Sequence, residues 1–126
     1  MATTARPVVL LIEDDDPVRE LIGRALRANG FEVVAAASGE EALDLEPTRH
    51  VDLLLSDVML PNQNGFEVAN QIRSRSPHIP VVFMSGYYDQ VVAEAAHLDI
   101  TSTILQKPFA MADLMAHLRN IYAATR

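Results

Sequence analysis

Glu13, Asp14, Asp15 and Asp16 stand in a row directly after the apolar run "VVLLI". Like charges this close repel one another, and the repulsion persists unless something positive sits nearby. Three further residues occupy comparable places: Asp57 closes "VDLLLSD", Ser85 closes "IPVVFMS", and Lys107 follows "STILQ". In each case a polar or charged group follows a short apolar segment. Carboxylates, a hydroxyl and an ammonium brought together could bind a hard cation and handle an anionic, oxygen-rich group. Lys107 would supply one positive charge and a divalent cation the rest. Mg2+ suits the task, because it takes one or two carboxylates and completes its shell with waters and phosphate oxygens. Such a metal lowers the cost of bringing an anionic phosphoryl group to an anionic Asp. An Asp carboxylate can then act as nucleophile and form an aspartyl phosphate. The hydroxyl and the ammonium would donate hydrogen bonds and charge to the transferred oxygens.

The elements that must gather these residues alternate along the chain. Residues 7–12 are short, continuous, apolar and rich in Val, Leu and Ile, the pattern of a strand buried on both faces, and 51–57 read as a further buried strand; 31–36, 79–85 and the shorter 102–106 read as the remaining strands. Asp16-Pro17 reads as an N-cap followed by Pro at the first helical position. Val18, Leu21, Ile22, Ala25 and Leu26 then share one helical face, and Gly30 ends the helix. Ser38 and Glu41 form a capping-box pattern that opens a short helix ending before Pro47. "LPNQNG" (60–65) reads as a loop. Gly65 there serves backbone geometry. Phe66, Ala69 and Ile72 support a third helix, residues 89–98 a fourth, and Met111, Leu114, Met115, Leu118, Ile121 and Tyr122 a last one. Five strands alternating with five helices predict a single α/β domain, doubly wound, with a five-stranded parallel sheet covered by helices on both faces. Ligands of such sheets bind beyond the carboxyl ends of the strands, which is where Glu13, Asp14, Asp57, Ser85 and Lys107 fall.

Composition narrows the function. The chain has 126 residues, which suits one domain, and 49% hydrophobic content, enough for a real core. A formal charge of −7 argues against nonspecific binding to nucleic acid or to an anionic membrane. With no cysteine there is no disulfide framework and no thiolate chemistry. His50, His78, His97 and His117 are scattered without metal-ligand spacing. No segment reaches the length of a membrane span and no signal peptide is recognisable, so a cytoplasmic domain is expected. Residues 1–6 and 123–126 read as loose ends around a domain at 7–122. The methionines read as core filler. Tyr87 and Tyr88 read as exposed loop aromatics, with a role at the phosphorylation site or at a partner surface as the alternative.

The motifs "LLIEDDDPVREL", "DLLLSDVMLPNQNGFEV", "VVFMSGY" and "ILQKPF", in this order and spacing, resemble the receiver domain of bacterial two-component response regulators. The resemblance covers about residues 7–122. It implies a CheY-like (βα)5 fold of the flavodoxin type. It implies that Asp57 accepts the phosphoryl group, in a Mg2+-dependent reaction, from a sensor histidine kinase or a histidine phosphotransfer protein. Asp14, Asp57 and the backbone carbonyl of Met59 would ligate the metal, and Glu13 would hold it through water. Ser85 would be the switch hydroxyl, Lys107 would contact the phosphoryl group, and the Lys107-Pro108 bond would be cis. The domain would catalyse its own phosphorylation and dephosphorylation rather than act as an enzyme on other substrates, and would regulate a downstream protein. Nothing resembling an effector domain follows the last helix, which fits a stand-alone receiver or one cut from a longer regulator.

Two departures from the family pattern bear on output. Many receivers carry Tyr or Phe three positions before the lysine, where this chain has Ile104, and "DITST" lacks the Gly-Ala pair common before the fifth strand. An isoleucine cannot make the aromatic swing that accompanies activation. A receiver-like interaction module that takes no phosphate is the competing reading, although every pocket group is retained. A phosphatase with an Asp nucleophile usually has a second acid two residues later, and Met59 stands there.

Overall fold

In the computed structural model, which describes residues 6–86 and 102–124, the predicted strand runs form one parallel sheet. They are β1 (Val8–Ile12), β2 (Glu32–Ala36), β3 (Leu53–Asp57), β6 (Val81–Ser85) and β7 (Ser102–Gln106), in the order β2-β1-β3-β6-β7. All residues of β1, β3 and β6 are buried, because helices cover both faces. Alternation along each strand sends side chains to two cores. Leu10, Ile12, Leu54, Val81 and Phe83 meet Ala42 of α2 (Gly39–Leu45) and Val68, Ala69 and Ile72 of α3 (Gly65–Arg75). On the other face Val9, Leu11, Leu53, Leu55, Val82 and Met84 meet Ile22 and Leu26 of α1 (Asp16–Ala28) and Leu114, Leu118 and Ile121 of α4 (Met111–Ala124). The register pairs Ile12 with Ser56, Asp57 with Met84 and Ser85 with Gln106. The carboxyl ends of the four strands β1, β3, β6 and β7 are therefore level, and the residues that follow them share one edge.

The start of α1 corrects the sequence reading by one residue. Asp15, not Asp16, is the N-cap: it is extended, and its Oδ1 accepts the Val18 amide at 3.1 Å. Asp16 lies in the first turn, where Arg19 takes its carboxylate at 2.6 Å, so the side chain left to cap the helix is that of Asp15. The helix ends as expected at Gly30, whose φ of 92° a side chain would resist. The Gly30 amide donates to the Arg27 carbonyl and that of Phe31 to the Leu26 carbonyl, with Phe31 and Leu26 packed in the same core. Leu21, expected on the apolar face, is 58% exposed, at the rim of the buried stripe.

The Ser38 hydroxyl accepts the Glu41 amide at 3.1 Å, and α2 ends before Pro47, which lies in a 3-10 turn, Glu46–Thr48. The segment read as a loop is a tight antiparallel hairpin, β4 (Met59–Leu60) with β5 (Gln63–Asn64), turning at Asn62 with φ 64°. Asn is among the few non-glycine residues that accept this backbone. Asn64 then caps α3, accepting the Phe66 amide at 2.7 Å. Met84 and Met115 are core residues as expected, but Met59 is 63% exposed. Helix α4 runs to Ala124, two residues into the stretch expected to be loose. The helix expected at 89–98, together with Tyr87 and Tyr88, lies outside the described residues.

The cap assignment predicts an asymmetry. Asp15→Ala and Asp16→Ala each remove one charge from the acidic run, but the first also removes the cap. Asp15→Ala is expected to cost about 1 kcal/mol more in urea unfolding.

Candidate functional site

The level strand ends place Glu13 after β1, Asp57 at the end of β3, Ser85 at the end of β6 and Lys107 after β7. Glu13 extends the ladder, donating its amide to the Ala36 carbonyl at 3.1 Å. Its side chain is 2% exposed and its Oε2 accepts the Asp15 amide at 3.2 Å. The Lys107 amide donates to the Ser85 carbonyl at 2.8 Å, which aims its side chain back over the sheet edge. Lys107 Nζ then reaches Glu13 Oε1 at 2.9 Å and Asp57 Oδ1 at 2.6 Å. Asp57 and Ser85 are buried, and the Lys107-Pro108 bond is cis.

Asp14 is exposed, yet one carboxylate oxygen from each of Glu13, Asp14 and Asp57 lies within 4.8 Å of the others. They open into a cavity of about 310 Å³ whose lining also includes Met59, Ser85, Gly86 and Lys107. All six residues singled out in the sequence thus meet at one place. Gly65 has the role expected of it: its amide donates to the Val58 carbonyl at 2.7 Å, and a Cβ there would overlap the Asp57 carbonyl oxygen. Helix α3 can therefore begin hard against the strand end that carries Asp57. What the sequence reading missed is Arg19. Its Nη1 donates to the Glu13 carbonyl at 2.9 Å, and its Nη2 holds Asp16. The available signal was a basic residue one turn into the helix that follows four acids.

Charge is unbalanced here, with three carboxylates facing one ammonium. Burial, reinforced by the hydrogen bond shared with Glu13 and by its charge, pushes the Asp57 carboxyl up to about 8 against the pull of Lys107. Burial would push Glu13 up as well, but hydrogen bonds with Asp57, Lys107 and the Asp15 amide outweigh it and hold Glu13 below the usual carboxylate range. Burial would lower Lys107, yet contacts with Asp57 and Glu13 outweigh it and raise its pKa. Below about pH 8 the Asp57 carboxyl therefore favours its protonated form, and a cation bound there would compete with that proton. The donor set is all oxygen, compact and overcharged, and so fits a small hard divalent ion such as Mg2+.

The family model of the response regulator receiver domain matches residues 9–119. The chain belongs to this family. Receiver domains are the phosphoacceptors of two-component signalling, and the acidic pocket fits that role. The response regulator MprA of Mycobacterium avium (strain 104) is 37% identical over 119 residues, covering 94% of this chain and 52% of its own length. The chain thus spans about half the length of the curated relatives it matches. The receiver domain from the hybrid histidine kinase CckA superposes with a TM-score of 0.78 at 35% identity, over 91% of this chain and 98% of that one. A response regulator receiver protein from Sinorhizobium medicae WSM419 gives 0.87 at 27% identity, over 96% and 98%. Among the described residues, no helix is long and apolar enough to cross a membrane.

The receiver's departure at Ile104 has a structural counterpart. Ile104 is partly buried beside its strand neighbour Phe83, against a core in which Phe83 and Phe66 stack edge to face with centroids 4.6 Å apart. Among the described residues, aromatic packing on this side of the sheet therefore comes from β6 and α3 rather than from β7.

A pH dependence follows from the retained proton. Below about 8 a cation must displace the proton on Asp57, and above it there is none to displace. Mg2+ affinity is expected to rise with pH up to that point, by no more than about tenfold per unit, and then level off. Calorimetry in buffers of different ionisation enthalpy should detect proton release at pH 7 and its disappearance above pH 9.

Proposed function

We propose that this chain accepts a phosphoryl group from a phosphohistidine donor onto Asp57, in a Mg2+-dependent reaction, and that the modified domain changes conformation to regulate a partner protein. The observation that carries this reading is Lys107 Nζ bonded to both Asp57 and Glu13, at the mouth of a carboxylate cluster at the strand ends. An Asp57 carboxylate oxygen attacks phosphorus while the bond from phosphorus to the imidazole nitrogen breaks. The imidazole, protonated on its other ring nitrogen before transfer, keeps the electron pair of the broken bond and leaves neutral. The product is an acyl phosphate on Asp57.

Lys107 exchanges part of its hold on Asp57 for a phosphoryl oxygen, so its charge stays compensated. The buried Ser85 hydroxyl donates to another oxygen and reports the modification to the sheet. Asp14, Asp57 and the Met59 carbonyl would ligate Mg2+, with Glu13 acting through water. Bound there, the ion supplies the positive charge that lets a phosphoryl group approach an acidic site. Water attack on the acyl phosphate resets the switch, so the chain catalyses only changes to its own side chain and is not an enzyme acting on separate substrates.

The donor is a sensor histidine kinase or a histidine phosphotransfer protein. Its docking surface is an apolar depression of about 430 Å³ lined by Val18, Ile22, Lys107, Pro108, Phe109 and Met111. Val18 and Lys107 also line the acidic cavity, so a partner seated there would meet Asp57 directly.

Incubation with acetyl phosphate and Mg2+, followed by intact-mass measurement, tests the reading. The wild type is expected to gain one phosphoryl group, lost on chelation of the metal, and Asp57→Asn to gain none. Modification of Asp57→Asn to the same extent would contradict the assignment. A wild type that stays unmodified with acetyl phosphate and with a panel of phosphorylated histidine kinases would favour an interaction module.

A further inference from the structure

We infer that Arg19 is a positioning residue for the metal site: it staples the acidic loop after β1 in the shape that presents Glu13 and Asp14 to the cation. This rests on the Mg2+ reading above. The four acids of the loop have separate engagements. The Glu13 carboxylate is held by Lys107 and by the Asp15 amide. The Asp15 carboxylate caps α1. The Asp16 carboxylate is held by Arg19. Among the described residues Asp14 makes no hydrogen bond or ion pair, and its carboxylate lies within 4.8 Å of those of Glu13 and Asp57.

What keeps Asp14 there is the backbone on either side of it. The residue pairing ends at Ile12, opposite Ala36 and Ser56, and Glu13 adds only its amide to the ladder, so the Glu13 carbonyl lies beyond the last strand pairing. Arg19 Nη1 takes that carbonyl at 2.9 Å, while Nη2 takes Asp16 at 2.6 Å. One planar guanidinium therefore grips the loop on both sides of Asp14-Asp15, from a helix anchored in the core.

The plain alternative is a surface ion pair three residues apart on a helix, which is worth little. Two observations exceed it. Arg19 is 22% exposed, against 75% for Arg24, which makes an ordinary solvent-facing pair with Glu20. Its second arm ends on main chain rather than on another side chain.

Positioning and charge predict opposite signs. Removing a positive charge near a cation site should tighten cation binding if charge alone matters. Loss of a group that orients the ligands should weaken it. Mg2+ affinity is measured by calorimetry on wild type, Arg19→Ala, Arg19→Lys and the charge control Arg24→Ala. Amide hydrogen exchange at Asp15 is measured on the metal-free proteins.

Arg19→Ala is expected to bind Mg2+ about tenfold more weakly and to exchange the Asp15 amide faster. Arg24→Ala should bind as tightly as wild type or slightly tighter. Arg19→Lys should follow Arg19→Ala, because one ammonium cannot serve both acceptors as the guanidinium fork does. Equal or tighter binding by Arg19→Ala with unchanged Asp15 exchange overturns the inference, and wild-type behaviour of Arg19→Lys overturns the two-armed hold. If wild type binds no Mg2+, it is the metal reading that fails. Exchange at Asp15 then decides the loop role alone: faster in Arg19→Ala supports it, and unchanged rejects it.

Discussion

Lys107 holds Glu13 and Asp57 at once, and the site depends on that three-way contact. Two nearly buried carboxylates would repel each other and lose their hydration without it. One ammonium between them offsets much of that cost but cannot offset all of it, because Asp14 brings a third carboxylate to the same place. The deficit of positive charge is the functional property. It suits the pocket to a hard cation and, on the function proposed, with the cation bound, to a phosphoryl group. Removing one partner of such a buried arrangement typically costs 3–5 kcal/mol, roughly, because the other is left uncompensated.

The contact exists because three segments distant in the chain end at one level. Parallel pairing of β1, β3, β6 and β7 sets that level, and the pairing is held by side chains packed on both faces of the sheet. The chemistry therefore sits at the ends of strands whose residues are all buried in β1, β3 and β6. Local adjustments refine it. Gly65 lets α3 close against the Asp57 carbonyl, and the Lys107 amide is tied to the Ser85 carbonyl. A fold consistent with its sequence almost everywhere concentrates its conflict, clustered like charge, at the working site.

Much of this was legible in the residues. Val, Leu and Ile runs buried on both faces could hardly be anything but inner strands, and polar residues at their ends marked the site before any geometry was known. Side-chain competition was harder to read. Asp15 and Asp16 are chemically identical candidates for one cap, and the choice was made by Arg19, a residue whose reach back to the loop depends on tertiary geometry. Leu21 belongs to the apolar periodicity of α1 but falls beyond the edge of what the sheet covers. The hairpin at 59–64 looked like a loop because its strands are two residues long, too short for alternation to show. The strand order was not derivable from composition or periodicity; the structure supplied it.

The claim that one lysine is outnumbered, so that Asp57 keeps a proton until a cation replaces it, is tested most directly by following the Asp57 carboxyl carbon by NMR through a pH titration, with and without saturating Mg2+. The account predicts a metal-free midpoint near 8, moved lower when the ion is bound. A midpoint of about 4, the value for a carboxylate in water, unmoved by Mg2+, would contradict it.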